Sequence, residues 1–308
     1  MAIVDFHTHF FSAAYFRTLA AQSFGANAPA ADEVDAKLAR VSAQAGFELP
    51  SASTAEHTAR WLAQMDRHGI EHLCTFASVP EEVPIVCEAA ALAKGRMSAF
   101  ALVNPRVEGA AQRLGALLAD GRVRGALVFP ALHHWRWDGP EARALLAVLD
   151  QHGGILYAHC GLLVVKVRDL LGLSRVADLN YANPLALVPA ANAHRRVRFV
   201  VPHFGAGFLR ETLLLGAQCD NVHVDTSSSN SWRSVLCPKP ALSEVFQRTL
   251  EVFGPERVLF GTDSNTFPAG WRQDRHAEQR RALLESGADD RTLELVFRGN
   301  ARRLLGLS

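Results

Sequence analysis

The chain predicts a closed α/β fold, a (β/α)8 barrel with lid segments inserted after its first and fifth strands. Short apolar stretches of strand length alternate with amphipathic stretches of helix length through most of the 308 residues, which implies parallel strands joined by right-handed crossovers. The strand candidates number eight, the count that closes such a barrel. No Gly-x-Gly-x-x-Gly follows any of them, which counts against an open doubly wound sheet.

The first strand, Ala2–His7, is apolar at Ala2, Ile3, Val4 and Phe6 and runs into Asp5-Phe6-His7-Thr8-His9. The next strands are expected at Ile70–Ala77, Met97–Val103, Val123–Phe129, Gly154–His159, Val197–His203, Asn221–Thr226 and Arg257–Thr262. Helix-like stretches lie near 55–68, 81–94, 107–120, 140–152, 185–195, 206–218, 241–253 and 272–286, with a last helix over about 290–305. Two connections are too long for turns, Phe10–Ser53 after the first strand and Gly161–Pro184 after the fifth. Both leave strand C-termini and are expected to cover the mouth as lids, about 10–53 and 161–184. Phe10, Phe11, Tyr15 and Phe16 make the first too aromatic for a solvated linker. No repeat or composition break divides the chain, so one barrel domain over 1–308 is expected.

Hydrophobic residues at 49% suffice for a large core, and charged residues at 20% are ordinary. With 32 Lys and Arg against 31 Asp and Glu, nothing electrostatic favours nucleic acid or an anionic membrane. No basic and apolar leader opens the chain and no stretch nears the ~20 apolar residues of a membrane span. Five cysteines without a Cys-x-x-Cys pair argue against a disulfide framework, so a reduced cytoplasm is the expectation. A homodimer is the base-rate assembly.

His7 and His9, two apart on a strand, project to one side about 7 Å apart along the backbone. Two imidazoles aimed at one point suit a divalent metal such as zinc. His159, His203 and Asp263 also close strands, the fifth, sixth and eighth. One histidine at a strand end is commonplace; a His or Asp ending four of eight strands on the catalytic face is not. Closure sets the eighth strand beside the first, bringing Asp263 toward His7 and His9, while His159 reaches across from the opposite wall. Three imidazoles, a carboxylate and a position left for water describe a catalytic metal site.

These motifs, DFHTH, the histidines of the fifth and sixth strands, LFGTDS and the closing GNARRLLGL, resemble the amidohydrolase superfamily along essentially the whole chain. The resemblance is closest to its amidohydrolase-related branch, which includes aminocarboxymuconate semialdehyde decarboxylase-like enzymes. It implies that His7, His9, His159 and Asp263 hold one divalent metal; zinc suits these ligands, and manganese also accepts imidazole and carboxylate. It further implies that His203 is an acid–base residue, with Asp263 also taking part in catalysis. Asp5, assigned to the strand's other phase, is read as structural. The fourth strand lacks the lysine that bridges two metals in binuclear relatives, carrying Leu127 in the Gly-x-Lys region, so a mononuclear site follows.

Substrate contacts are less determined. His133, His134 and Trp135, with Trp137, follow the fourth strand, and Asn230 and Trp232 follow the seventh; each also fits ordinary loop packing. Arg17, Lys166 and Arg168 on the lids could clamp a substrate carboxylate, although a solvated charge is the commoner state of such residues. The main expectation is a metal-dependent hydrolase using an activated water on a small ester, lactone or amide. The alternative is a non-oxidative decarboxylase of an aromatic or dienyl carboxylate, and a second alternative is a metal-binding barrel without turnover. The remaining histidines, among them His57, His72, His223 and His276, are read as structural.

Overall fold

The computed structural model describes residues 2–25 and 29–307, so residues 26–28 of the first lid expectation, and both chain termini, lie outside the described residues. Eight parallel strands pair in chain order: β1 (Ile3–His9), β2 (Ile70–Phe76), β3 (Met97–Leu102), β4 (Gly125–Val128), β5 (Ile155–Ala158), β6 (Arg198–Val201), β7 (Val222–Asp225) and β8 (Val258–Leu259). β-branched and aromatic residues such as Ile3, Val4, Phe6, Phe199, Val200 and Val201 suit strands buried on both faces. The fold is a (β/α)8 barrel. β1 and β8 close it through Phe6 N–H to Phe260 O at 2.9 Å, Asp263 N–H to His7 O at 2.9 Å and His9 N–H to Ser264 O at 2.8 Å.

Two helices, α1 (Ala13–Gln22) and α2 (Ala31–Ala45), fill the long connection after β1. Then come α3 (Thr54–His68), α4 (Val83–Leu92), α5 (Ala110–Ala119), α6 (Pro130–His133) and α7 (Pro140–His152). The second half has α8 (Lys166–Leu170), α9 (Val188–Ala193), α10 (Leu209–Gln218), α11 (Leu242–Phe253), α12 (Gln273–Glu285), α13 (Asp290–Glu294) and α14 (Asn300–Leu305). Local chemistry sets their ends. The Ser53 hydroxyl caps α3 by accepting from Glu56 N–H, and Gly69 ends it in the left-handed region, where a side chain is strained.

Two departures from the sequence reading have local causes. β8 pairs as a ladder over two residues, because beyond Leu259 the chain bonds to β1 and, through Phe260 N–H, to Val296 O. The expected helix over 290–305 is interrupted by a π-turn at Leu295–Gly299, the segment that supplies this Val296 carbonyl.

The core has two parts. Inside the barrel, Phe6, Phe76, Phe100 and Tyr157 form an aromatic plug, with Phe76–Tyr157 centroids 4.6 Å apart and Phe76–Phe100 5.1 Å. The Tyr157 hydroxyl donates to Phe6 O at 2.6 Å. A separate cluster joins the two inserted segments: Tyr15, Phe16, Leu19, Val34, Leu38 and Val41 pack with Leu171, and partly buried Val167, Leu170 and Leu173 adjoin them. These insertions therefore form one apolar unit, and Phe11 brings it to the barrel mouth by stacking on Tyr15 at 4.0 Å while lying 5.2 Å from His9.

Candidate metal centre

A β-bulge in β1 prepares the site. Asp5 pairs with Leu73 and Thr8 with Thr75, so three steps of β1 oppose two of β2. The extra residue breaks the alternation, and both Phe6 and His7 face the interior, with rings 5.8 and 5.5 Å from Tyr157. Asp5, which regular alternation would align with His7, instead accepts from Thr262 N–H, Thr262 Oγ1 and Trp271 Nε1, joining β1 to the chain after β8. Its carboxyl is pushed up to about 6 by burial.

Above the aromatic plug, His7 Nε2 and His9 Nε2 lie 3.4 Å apart. Asp263 Oδ1 stands 3.8 Å from the first and 3.4 Å from the second. The other nitrogen of each ring is engaged: His7 Nδ1 is 2.6 Å from Asp225 Oδ2, and His9 Nδ1 is 2.7 Å from Ser78 Oγ. Protons on the Nδ1 atoms leave both Nε2 lone pairs facing Asp263, a donor set that fits a divalent cation. His7, His203 and Asp225 form a second compact group, but there Asp225 is committed to the Nδ1 of His7 and reads as its orienting partner.

His203 stands beside this group, its ring centroid 4.9 Å from His7 and 5.4 Å from His159. Its Nδ1 is 2.8 Å from Ser227 Oγ, whose backbone N–H donates to Asp225 Oδ1 at 2.6 Å. The segment leaving β6 is contorted, with His203, Phe204 and Ala206 all at positive φ, and Asp263 shares that conformation at φ 60°. Such residues cost about 1–3 kcal/mol each and cluster where function constrains the backbone. Gly261 allows the close approach: a Cβ there would lie 2.7 Å from His7 Cβ and 2.9 Å from Ser227 Cβ.

Burial pushes His9 down to about 3 although Asp263 opposes it, and burial with the neighbouring imidazoles holds His159 well below its ordinary value. His203 is lowered by burial and by His7. For His7, burial works against the charge, but Asp225, Asp263 and Asp5 together outweigh it and the pKa is raised. Burial works to raise Asp225, but His7, His203 and the Ser227 hydrogen bond together overcome it and the pKa is lowered. His9, His159 and His203 are thus neutral near pH 7, the form that ligates a metal or accepts a proton.

A model of the amidohydrolase family matches residues 4–307. The chain belongs to the amidohydrolase family. No curated protein matches it. Among solved structures it is similar to the 5-carboxyvanillate decarboxylase LigW from Sphingomonas paucimobilis, with 14% identity over 100% of this chain and 99% of that one and a TM-score of 0.67. A 5-carboxyvanillate decarboxylase mutant from Novosphingobium aromaticivorans with bound manganese is 13% identical over 99% and 97% of the chains, TM-score 0.66. A probable 2-pyrone-4,6-dicarboxylic acid hydrolase from Acinetobacter baumannii is 14% identical over the full length of both, TM-score 0.64. At these identities the likeness establishes the shared fold. Family membership and the His/Asp clusters together make this a metal-dependent enzyme.

The other residues singled out in this amidohydrolase fall in varied places. His159 is buried beside His203 and Phe129, with its Nδ1 unpartnered. Its nitrogens belong to neither compact group. Asn230 is 1% exposed with both amide atoms unpartnered, and Trp232 packs against Phe204. Trp135 is buried edge-on to Trp137, His133 is pushed to about 4 chiefly by burial, and His134 Nε2 meets Val176 O at 2.6 Å. Of the cations, Arg17 pairs with Asp35 at 2.7 Å, Arg168 reaches Gln22, and Lys166 is exposed. Asp225 and Ser78 escaped the sequence reading, whereas Ser227 opens the run of hydroxyl and amide donors after the seventh strand. The available signal was Asp225, a carboxylate within Val222-His223-Val224-Asp225 at the catalytic end of a strand.

Among the described residues, no helix is long and apolar enough to cross a membrane.

Proposed function

We propose that this amidohydrolase is a non-oxidative decarboxylase of a planar aromatic or dienyl carboxylate, working with one divalent metal in the cytoplasm. The observation that carries the reading is the position of His203, buried and neutral, beside but separate from the His7–His9–Asp263 group. Aromatic rings adjoin the proposed ligands: Phe76 lies 4.8 Å from His7, Phe11 5.2 Å from His9 and Phe129 5.1 Å from His159. Such walls suit a flat substrate.

His7, His9 and Asp263 would hold the metal, with His159 completing the set from the opposite wall. Zinc suits these donors, and manganese accepts them too. When bound, such a cation supplies a Lewis acid that holds a substrate oxygen and offsets developing negative charge. Water kept out by the inserted segments would strengthen those interactions. In the step itself the ring–carboxylate carbon–carbon bond breaks, its electron pair stays on the ring carbon, and CO2 leaves. His203, its ring oriented through Nδ1 by Ser227, takes up a proton from solvent as the anionic substrate binds, delivers it to that carbon as an imidazolium and returns to the neutral imidazole.

One observation favours the hydrolase reading as runner-up. The Asp263 side chain is 30% exposed and faces both Nε2 atoms, where it could take a proton from an attacking water. The two chemistries separate by product. With zinc- or manganese-loaded enzyme in D2O, aryl and dienyl carboxylates should release CO2 and gain one deuterium at the vacated carbon, while lactones and esters persist. Lactone or ester opening without CO2 release from any carboxylate would remove the decarboxylase reading.

A further inference from the structure

Glu82 lies outside the cluster just described and is fully buried, with 0% exposure. It follows β2 and precedes α4, and its two oxygens serve different parts of the molecule. Oε1 accepts from Ser12 N–H at 2.7 Å and from the Ser12 hydroxyl at 2.8 Å. Ser12 is the cap of α1, its hydroxyl in turn accepting from Tyr15 N–H. Oε2 accepts from Ser78 N–H at 2.7 Å, and the Ser78 hydroxyl is the partner of His9 Nδ1 at 2.7 Å.

We infer that Glu82 is a positioning residue that couples seating of the lid helix α1 to the pose of His9. A continuous chain of hydrogen bonds runs from the start of α1 through one carboxylate to Ser78 and the imidazole. A buried carboxylate is costly unless its oxygens are satisfied, and here the donors come from the lid cap and from the loop holding His9. Moving the α1 cap removes two of those donors, and the carboxylate that fixes Ser78 is then free to turn. Partners of the distal ring nitrogen orient a ligating histidine and commonly change metal affinity by about 10–100-fold when removed. The inference rests on the reading of His9 as a metal ligand. By linkage, metal binding must in turn stabilise the α1 cap.

The test follows zinc affinity by chelator competition and hydrogen exchange of the α1 amides, on the full chain. In the wild type, zinc should slow exchange at the first turn of α1. Glu82→Gln should bind zinc about 10–100-fold more weakly, and saturating zinc should no longer slow that exchange. Ser78→Ala covers the case in which Glu82→Gln does not fold. It keeps the Glu82–Ser12 bonds, so metal-free α1 exchange should stay at the wild-type rate while zinc affinity falls and zinc-induced slowing is lost. Wild-type affinity and wild-type zinc protection in either folded variant would overturn the inference. His9→Ala separates the two readings: if it binds zinc like the wild type, the ligand assignment fails, whereas a defective His9→Ala beside a normal Glu82→Gln and Ser78→Ala removes the coupling alone.

Discussion

At the scale of single residues, the centre depends on what holds the imidazoles as much as on the imidazoles. Asp225 accepts from His7 Nδ1 at 2.6 Å and Ser227 meets His203 Nδ1 at 2.8 Å, so the last residue of β7 and the residue two beyond it set the orientation of one proposed ligand and of the proposed proton donor. Asp225→Asn replaces the charged acceptor by a neutral amide and should weaken zinc binding by about 10–100-fold; unchanged affinity in a competition titration would show that His7 needs no such partner. His203→Ala should keep the metal and lose about 10²–10⁴ in turnover, whereas His159→Ala should lose metal. The reverse pattern in metal analysis and kinetics would exchange the two roles. Asp225 was hard to see in the sequence because it lies inside an apolar strand pattern, while His7, His159 and His203 announce themselves as histidines at strand ends. The partners Ser78 and Ser227 are ordinary loop serines until tertiary contacts select them.

At the scale of elements, irregular backbone does what alternation alone cannot. The β1 bulge lets Phe6 fill the barrel and His7 reach the metal cluster from consecutive positions. A two-residue period in the sequence placed His7 and His9 side by side, but it could not foretell the extra residue, which is written in the register with β2. Gly261 is the matching concession from the β8 side. Gly261→Ala sets a methyl group 2.7 Å from His7 Cβ, an overpacking that typically costs about 1–3 kcal/mol. Urea unfolding should show that loss together with weaker zinc binding; wild-type values for both would mean that the two strands separate freely. The lids were partly readable: the aromatic residues of 10–16 pointed to a packed segment, and Tyr15 and Phe16 are buried in the cluster that Leu171 joins. The pairing of Arg17 with Asp35 was not, since Asp35 reaches it from the next helix.

For the whole molecule, barrel closure gathers residues from β1, β5, β6, β7 and β8 at one mouth, and the order of eight strands carried that prediction. Burial of so many histidines has a consequence for stability. Burial pushes His57, His72 and His276 down to about 4, and His223 to about 3 with Arg257, Arg198 and Arg303 adding repulsion. Each such group contributes stability that is fully present above the unfolded value of about 6.5 and is lost as pH falls toward the folded value. Glu82, raised to about 7 by burial, works the other way, destabilising as pH rises from 4.5 to 7. Metal-free protein should therefore be compared with a single variant. Between pH 6.5 and 4 the wild type should lose up to about 1.4 kcal/mol per pH unit more than His223→Gln; parallel stability curves would show that His223 is protonated in the fold.

The most direct test of the proposed centre is an anomalous difference map from crystals of the zinc-loaded protein at the zinc edge. A single peak should lie among His7 Nε2, His9 Nε2 and Asp263, at about 2.0–2.2 Å from its nitrogen and oxygen ligands, with His159 drawn toward it and His203 left outside the coordination sphere. Two peaks bridged by a shared ligand would contradict the mononuclear centre, and one peak held by His203 and Asp225 would contradict both the ligand assignment and the proton-donor role of His203.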